Sequence, residues 1–220
     1  MTKTTSPKKT GKTETTNTAY SKKVNNPVAA AKDNESRFRP TKDAEMDTLS
    51  LDPADGLRKL FTDCIRDIYW AENHLVKALP KMAKASSLKL LQKAILSHLD
   101  ETIMHVQRLE QVFELLGIPA QARKCDAMEG LTKEGESVVE TTDAGTAARD
   151  LGIIMASQKI EHYEISSYTG LAKLASNLDF PEISGLLSAT LAEEEASDKK
   201  LAEIAENNLS EATREEEEEV

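Results

Sequence analysis

The sequence predicts an all-α protein built on a single four-helix bundle, in which two helical hairpins are joined by a long crossover. Three observations carry this reading. Across 220 residues there are only 9 Gly and 7 Pro, whereas Ala, Leu, Glu and Lys abound, a composition that favours helices and gives little material for sheet turns. Four segments carry apolar residues at the three-and-four spacing that gives a helix one buried stripe. The connections between these segments are short, long and short in turn.

The first segment runs from about Asp52 to Ala85, with its stripe at Leu57, Leu60/Phe61, Cys64, Ile68, Leu75, Leu79 and Met82. Asp52 and Pro53 suit an N-cap and first helical position, and Ser86-Ser87 suits the turn that follows. The second stripe runs from Leu91 through Ile95, Leu109 and Val112 to Leu116, and stops before Gly117 and Pro119. The third runs from Ile153 to Ala175 and the fourth from Ile183 to Ile204. Between the second and third lies the stretch from Ile118 to about Gly145, where Met128, Leu131, Val138 and Val139 predict a short amphipathic helix covering the side of the bundle. Two hairpins with one long crossover is the ferritin-like arrangement. An internal repeat supports it: a shift of 92 positions places IYWAENHLVKALPKMAKA on IEHYEISSYTGLAKLASN, pairing Ile68 with Ile160, Glu72 with Glu164 and Leu79 with Leu171. The same shift pairs Glu101 with Glu193, so a pseudo-twofold axis relates the hairpins.

Both ends read differently from this centre. Residues 1–50 are rich in Lys, Thr, Ser, Asn and Pro without hydrophobic period, the composition of a disordered arm. Residues 51–208 are expected to form the bundle, and 209–220, ending in EEEEEV, a self-repelling acidic tail without structure. The net charge of −10 divides into +4 over residues 1–47 and −14 over the rest. So acidic a body repels nucleic acid, which is not expected as a partner; any such contact would fall to the weakly basic arm. No apolar run approaches the ~18 residues of a membrane span, and no signal peptide is recognisable. Cys64 and Cys125 are too few for a disulfide framework, which fits a reducing cytoplasm.

The chemistry lies where the stripes break. Each is apolar at its ends and interrupted mid-length by ionisable residues: Glu72 in the first, His98, Glu101 and His105 in the second, Glu161 and Glu164 in the third, Glu193 or Glu194 in the fourth. One desolvated carboxylate costs several kcal/mol, and several together cost more unless protons or cations neutralise them. Residues at i and i+3 or i+4 share a helical face, so these groups converge on one axis. Oxygen ligands with an imidazole or two favour iron or manganese, and carboxylates bridge paired ions ~3.5–4 Å apart. Glu72, His98, Glu101, Glu161, Glu164, Glu193 and Glu194 are the candidate ligands, with two iron ions expected and manganese the other candidate. His105 follows Glu101 by four rather than the three of the Glu-x-x-His di-iron motif, and either His98 or His105 can supply the nitrogen. His74 and His162 have flanking or exposed-face spacing, and Tyr69, Trp70, Tyr163 and Tyr168 are read first as packing.

The strings YWAENHLVKALPKMAKA, HLDETIMHVQRLEQVFELLG, KCDAMEGL, SQKIEHYEISSYTGLAKLA and TLAEEEASDKKLAEIA, in this order from Leu57 to Asn208, resemble the YciE/YciF family of bacterial ferritin-like stress proteins. The resemblance implies a bacterial cytoplasmic homodimer with a rubrerythrin-like or ferritin-like bundle, tied to general or osmotic stress. It carries the acidic motifs onto the same seven candidate ligands and names no reaction. Two functions follow from the residues: a di-iron protein that oxidises Fe(II) with oxygen or peroxide, and a metal-stapled or structural stress protein that acts through a partner.

Overall fold

The computed structural model describes residues 53–218, with side chains described for 54–207. The expectation of a disordered arm over residues 1–50 therefore lies outside the described residues. Five helices follow in order: α1 (Pro53–Ala85), α2 (Lys89–Leu115), α3 (Asp126–Thr141), α4 (Ala147–Asn177) and α5 (Pro181–Glu218). Among the described residues there is no strand. The long helices pack in the ring α1–α2–α5–α4, leaving α1/α5 and α2/α4 on the diagonals, and α3 lies over the seam of α1 and α4. No described helix is long and apolar enough to cross a membrane.

Direction around the ring is read from contacts at the ends. Asp150, in the first turn of α4, binds the α1–α2 turn, so α4 starts where α1 ends and runs antiparallel to it. At the opposite end Phe61 of α1 meets Phe180 of the α4–α5 turn, with ring centroids 6.2 Å apart. The crossover must therefore return along the length of the bundle, and α3 is that return; the segment leading into it is tied to α1, where the amide of Arg123 donates to the carbonyl of Arg66 (3.0 Å). α3 approaches α4 closely because residue 152 is Gly: a Cβ there would lie 2.5 Å from Cγ1 of Val138.

Helix ends follow the sequence signals, with one instructive substitution. α2 stops at Gly117, whose φ of +67° suits a residue without a side chain. Thr146 Oγ1 caps α4 by accepting from the amide of Arg149 (3.3 Å), and Cys125 Sγ caps α3 by accepting from the amide of Met128 (3.4 Å). α2 begins after Leu88, which has no side chain able to cap. Its exposed amides are served across the bundle by Asp150, which accepts from the Ser87 and Leu88 amides (2.8 and 3.0 Å) and from both serine hydroxyls (2.6 and 2.5 Å). Burial works to raise the Asp150 carboxyl, but these donors together hold it below its ordinary value. Its neighbour Arg149 does the converse for α3, donating to the carbonyls of Val139 and Thr142 at that helix's negative end.

The α5 boundary differs from the sequence expectation. The acidic end expected to be unstructured continues as helix to Glu218. Residues 209–218 hold no Gly or Pro, and their Glu, Ala and Arg have high helix propensity, which carries the helix on despite the like charges. Pro80 lies inside α1, but on its exposed side, where the carbonyl it leaves unpaired can turn to water.

The capping role of Asp150 yields a prediction. Asp150→Ala strips four donors of their acceptor and should destabilise the fold by about 3 kcal/mol, the scale of losing hydrogen bonds to a charged group. Chemical denaturation measures this directly; a loss comparable to that of an exposed surface substitution would show that the turn does not depend on α4.

Candidate metal centre

Halfway along the bundle the apolar core (Phe61, Ile65, Ile68, Leu75, Leu91, Leu109, Ile153, Ile160) is interrupted by one polar layer. Glu72, Glu164, Glu194 and His105 are all but fully inaccessible, with Glu161 at 2% and His98 at 4% exposure. Each long helix contributes: α1 gives Glu72, α2 gives His98 and His105, α4 gives Glu161 and Glu164, α5 gives Glu194.

Their ligand atoms form two groups that could each hold a metal ion, His98 with Glu161, Glu164 and Glu194, and Glu72 with His105 and Glu194. Glu194 belongs to both. Its Oε2 lies 3.8 Å from His98 Nε2 and its Oε1 lies 3.0 Å from His105 Nδ1. His98 Nε2 is also 3.5 Å from Glu161 Oε1, and His105 Nδ1 is 3.5 Å from Glu72 Oε1. Many of these atoms have no hydrogen-bond partner among the described residues: both oxygens of Glu164 and of Glu194, both ring nitrogens of His98, His105 Nδ1, Glu72 Oε2 and Glu161 Oε2. Buried polar atoms are ordinarily satisfied, so a concentration of exceptions at one point is the mark of a missing charge.

Of the seven candidate ligands, the structure brings together Glu72, His98, Glu161, Glu164 and Glu194, and adds His105. It sets Glu101 and Glu193 outside them. At 100° per residue a shift of one position turns a side chain from the axis to the rim: Thr102, fully buried, takes the inward place, while the Glu101 side chain is 43% exposed with Oε2 3.6 Å from His98 Nδ1. Glu193 lies on the outer side of His105, its Oε2 2.9 Å from Nε2, and is gripped through both oxygens by Arg108 (2.5 and 2.7 Å). Glu193 thus fixes the ring that points Nδ1 inward, the usual arrangement behind a metal-ligating histidine. Tyr168 does the same for Glu72, donating its hydroxyl to Oε1 (2.5 Å).

Two signals for this were available. Thr102 and His105 are three apart, so the spacing of the di-iron motif is present with threonine in the carboxylate's place, and the 92-residue shift sets Thr102 opposite Glu194. The remaining polar aromatics lie elsewhere. His74 Nε2 pairs with Thr132 Oγ1 of α3 (2.9 Å), His162 lies at the surface beside Asp198, and Tyr163 donates to Asp67 (2.9 Å) with Cys125 Sγ 3.0 Å away.

The electrostatics follow from burial set against mutual attraction. Burial, then repulsion from Glu194 and Glu72, pushes Glu164 well above the ordinary carboxylate value; burial does the same to Glu161 despite the charge of His98. Burial likewise raises Glu72 against the pull of His105. Burial would raise Glu194 too, but His105 and His98 together hold it below its ordinary value. Burial disfavours the imidazolium of both histidines, yet Glu161 and Glu101 lift His98 to about 9, and Glu194 and Glu72 lift His105 to about 11. Without a metal the layer is neutralised by protons.

Fold and site together define a helical-bundle protein with a buried carboxylate and imidazole centre able to hold metal ions. The chain belongs to the family described as a domain of unknown function (DUF892), whose pattern it matches over residues 56–214. It is 42% identical to Protein YciF of Escherichia coli K12 over 154 residues, covering 70% of this chain and 92% of that protein. The crystal structure of the E. coli stress protein YciF matches with a TM-score of 0.68 at 41% identity, over 70% of this chain and 97% of that one. YcfI of Rhodopseudomonas palustris, named as a candidate structural protein, matches with a TM-score of 0.64 at 37% identity, over 66% and 92%. The YciF-like family that the motifs pointed to is therefore the one found.

Protonation sets the pH response of the metal-free protein. His98 and His105 are raised, so the stability they contribute is complete below the unfolded imidazole value and is lost as pH rises through about 9 and about 11. Glu161 and Glu164 act with the same sign, because the folded chain retains protons that the unfolded chain releases near the ordinary carboxylate value. The melting temperature of chelator-treated protein should therefore fall between about pH 6.5 and about pH 9. A rise across that window would overturn this protonation scheme.

Proposed function

We propose that this is a YciF-like stress protein whose bundle binds a pair of iron ions, with manganese the other candidate, and that it oxidises Fe(II) with oxygen or peroxide. One observation carries the reading: buried carboxylate oxygens and imidazole nitrogens without hydrogen-bond partners among the described residues converge from four helices on a shared Glu194. The donor set fits the group, since four carboxylates balance two divalent cations and an oxygen-rich set with two imidazoles suits iron or manganese. Glu72, His105 and Glu194 would hold one ion, and His98, Glu161, Glu164 and Glu194 the other. Bound there, an iron pair supplies one-electron redox chemistry toward oxygen or peroxide.

The chain's own residues prepare the place. Glu193 and Arg108 hold the His105 ring, and Tyr168 holds Glu72, so little ordering remains to be done when an ion enters. Apolar side chains above and below the layer lower the local dielectric and strengthen each interaction within it. A second reading uses the same residues without turnover: the ion staples the bundle and the protein serves as a structural stress component. It is favoured by the description of the R. palustris relative. The homodimer expected from the resemblance belongs to either reading.

Metal entry must displace the protons described above, about four for two divalent ions. Anaerobic titration with Fe(II) should show about two ions per chain, proton release visible as a dependence of the binding heat on buffer, and loss of both in a Glu164→Ala, Glu194→Ala variant. Oxidation of the bound Fe(II) faster than in buffer supports the redox reading, and binding with no such acceleration supports the staple. A folded protein that takes up no metal would overturn both.

A further inference from the structure

A cavity of about 360 Å³ opens between α2 and α5 and ends at the polar layer. Its inner wall holds His98 and Glu161, its α5 side the small residues Ala192 and Ala196, and beside His98 stands the half-exposed Glu101. The groove beneath α3, at Met82, Thr132 and Gly135, has no member of the metal cluster in its lining, nor has the pocket at Cys64, Asp67 and Tyr163. At ~30 Å³ per water the α2–α5 cavity has room for about a dozen molecules, enough for an ion that still carries part of its hydration shell.

Three features single out a cation as the traveller. His98 lines this cavity, is 4% exposed, and among the described residues neither of its ring nitrogens is engaged in a hydrogen bond. The Glu101 carboxylate stands 3.6 Å from the outer of these nitrogens, Nδ1, while Nε2 faces Glu161 within the layer at 3.5 Å. Acidic groups therefore line the way from solvent to centre. The nearby arginine, Arg108, is committed to Glu193 through two hydrogen bonds, which leaves Lys200 as the cation lining the cavity.

We infer that the α2–α5 cleft is the entry route for a partly hydrated divalent cation, with Glu101 as a transit ligand that hands the ion past His98 to Glu161 and Glu194. This rests on the metal-binding reading above and gives Glu101 a role distinct from that of the buried carboxylates. It also accounts for the small residues on α5: larger side chains at positions 192 and 196 would close the passage without touching the centre.

The test is the rate at which metal-free protein takes up Co(II), followed by the visible absorption of the bound ion in stopped flow, with equilibrium affinity measured separately. Glu101→Gln should slow uptake about tenfold, the scale on which an acidic cleft accelerates cation capture, and should shift the final affinity far less. Glu101→Asp should recover much of the rate. Ala192→Phe, at an exposed position where the core is not disturbed, should slow uptake while leaving the final Co(II) content unchanged. Wild-type rates in both Glu101→Gln and Ala192→Phe, with full Co(II) content, would overturn the route alone. An affinity loss in Glu101→Gln that matches the rate loss would make Glu101 a resident ligand and overturn its transit role. A wild type that binds no Co(II) would overturn this inference together with the reading on which it rests.

Discussion

Burying four carboxylates and two imidazoles at one level of a helical bundle is the constraint around which this protein is organised. In a low-dielectric interior the like charges cannot all persist, and the layer is tolerable only if protons or metal ions balance it. The raised carboxyls of Glu161 and Glu164 and the raised imidazoles of His98 and His105 are the protonated solution to that constraint. Glu194 marks its centre, because it alone is shared by both groups and is drawn toward the charged form.

Much of the surrounding structure serves to keep those side chains aligned. The apolar stripes above and below the layer fix the rotation of each helix, and a rotation by one residue would replace a ligand with a neighbour of another kind. Arg108, Glu193 and Tyr168 then hold individual side chains within that frame. The helix α3 closes the α1–α4 seam, whereas the α2–α5 seam, paired across small residues, stays open as far as His98.

The helices and their topology were legible in the sequence because they rest on local signals: period, capping residues, a glycine stop and connection length. The ligand layer was legible as a level but not as an inventory. Glu72 and Glu164 fall squarely on long stripes, and both are buried as read. Glu101 and Glu193 lie at positions where a difference of one residue, 100° of rotation, decides between axis and rim, and apolar periodicity with alanines at its edges does not resolve such an angle. Arg108 left no signal at all, since its partner sits 85 residues away on another helix. The helical continuation of α5 to Glu218 rests on the helix propensity of glutamate and alanine, which outweighs the repulsion of the like charges there.

The bond between Asp150 and the first hairpin bears on how the two repeats relate. Internal duplication suggests two modules, each able to fold by itself and then dock. Yet the α1–α2 turn has no cap of its own and borrows one from a residue 62 positions away in the other repeat, while the adjacent Arg149 secures the end of the crossover helix. Neither half completes its own helix ends without that junction, so the two repeats of the sequence meet at a shared set of caps rather than at a surface between finished modules.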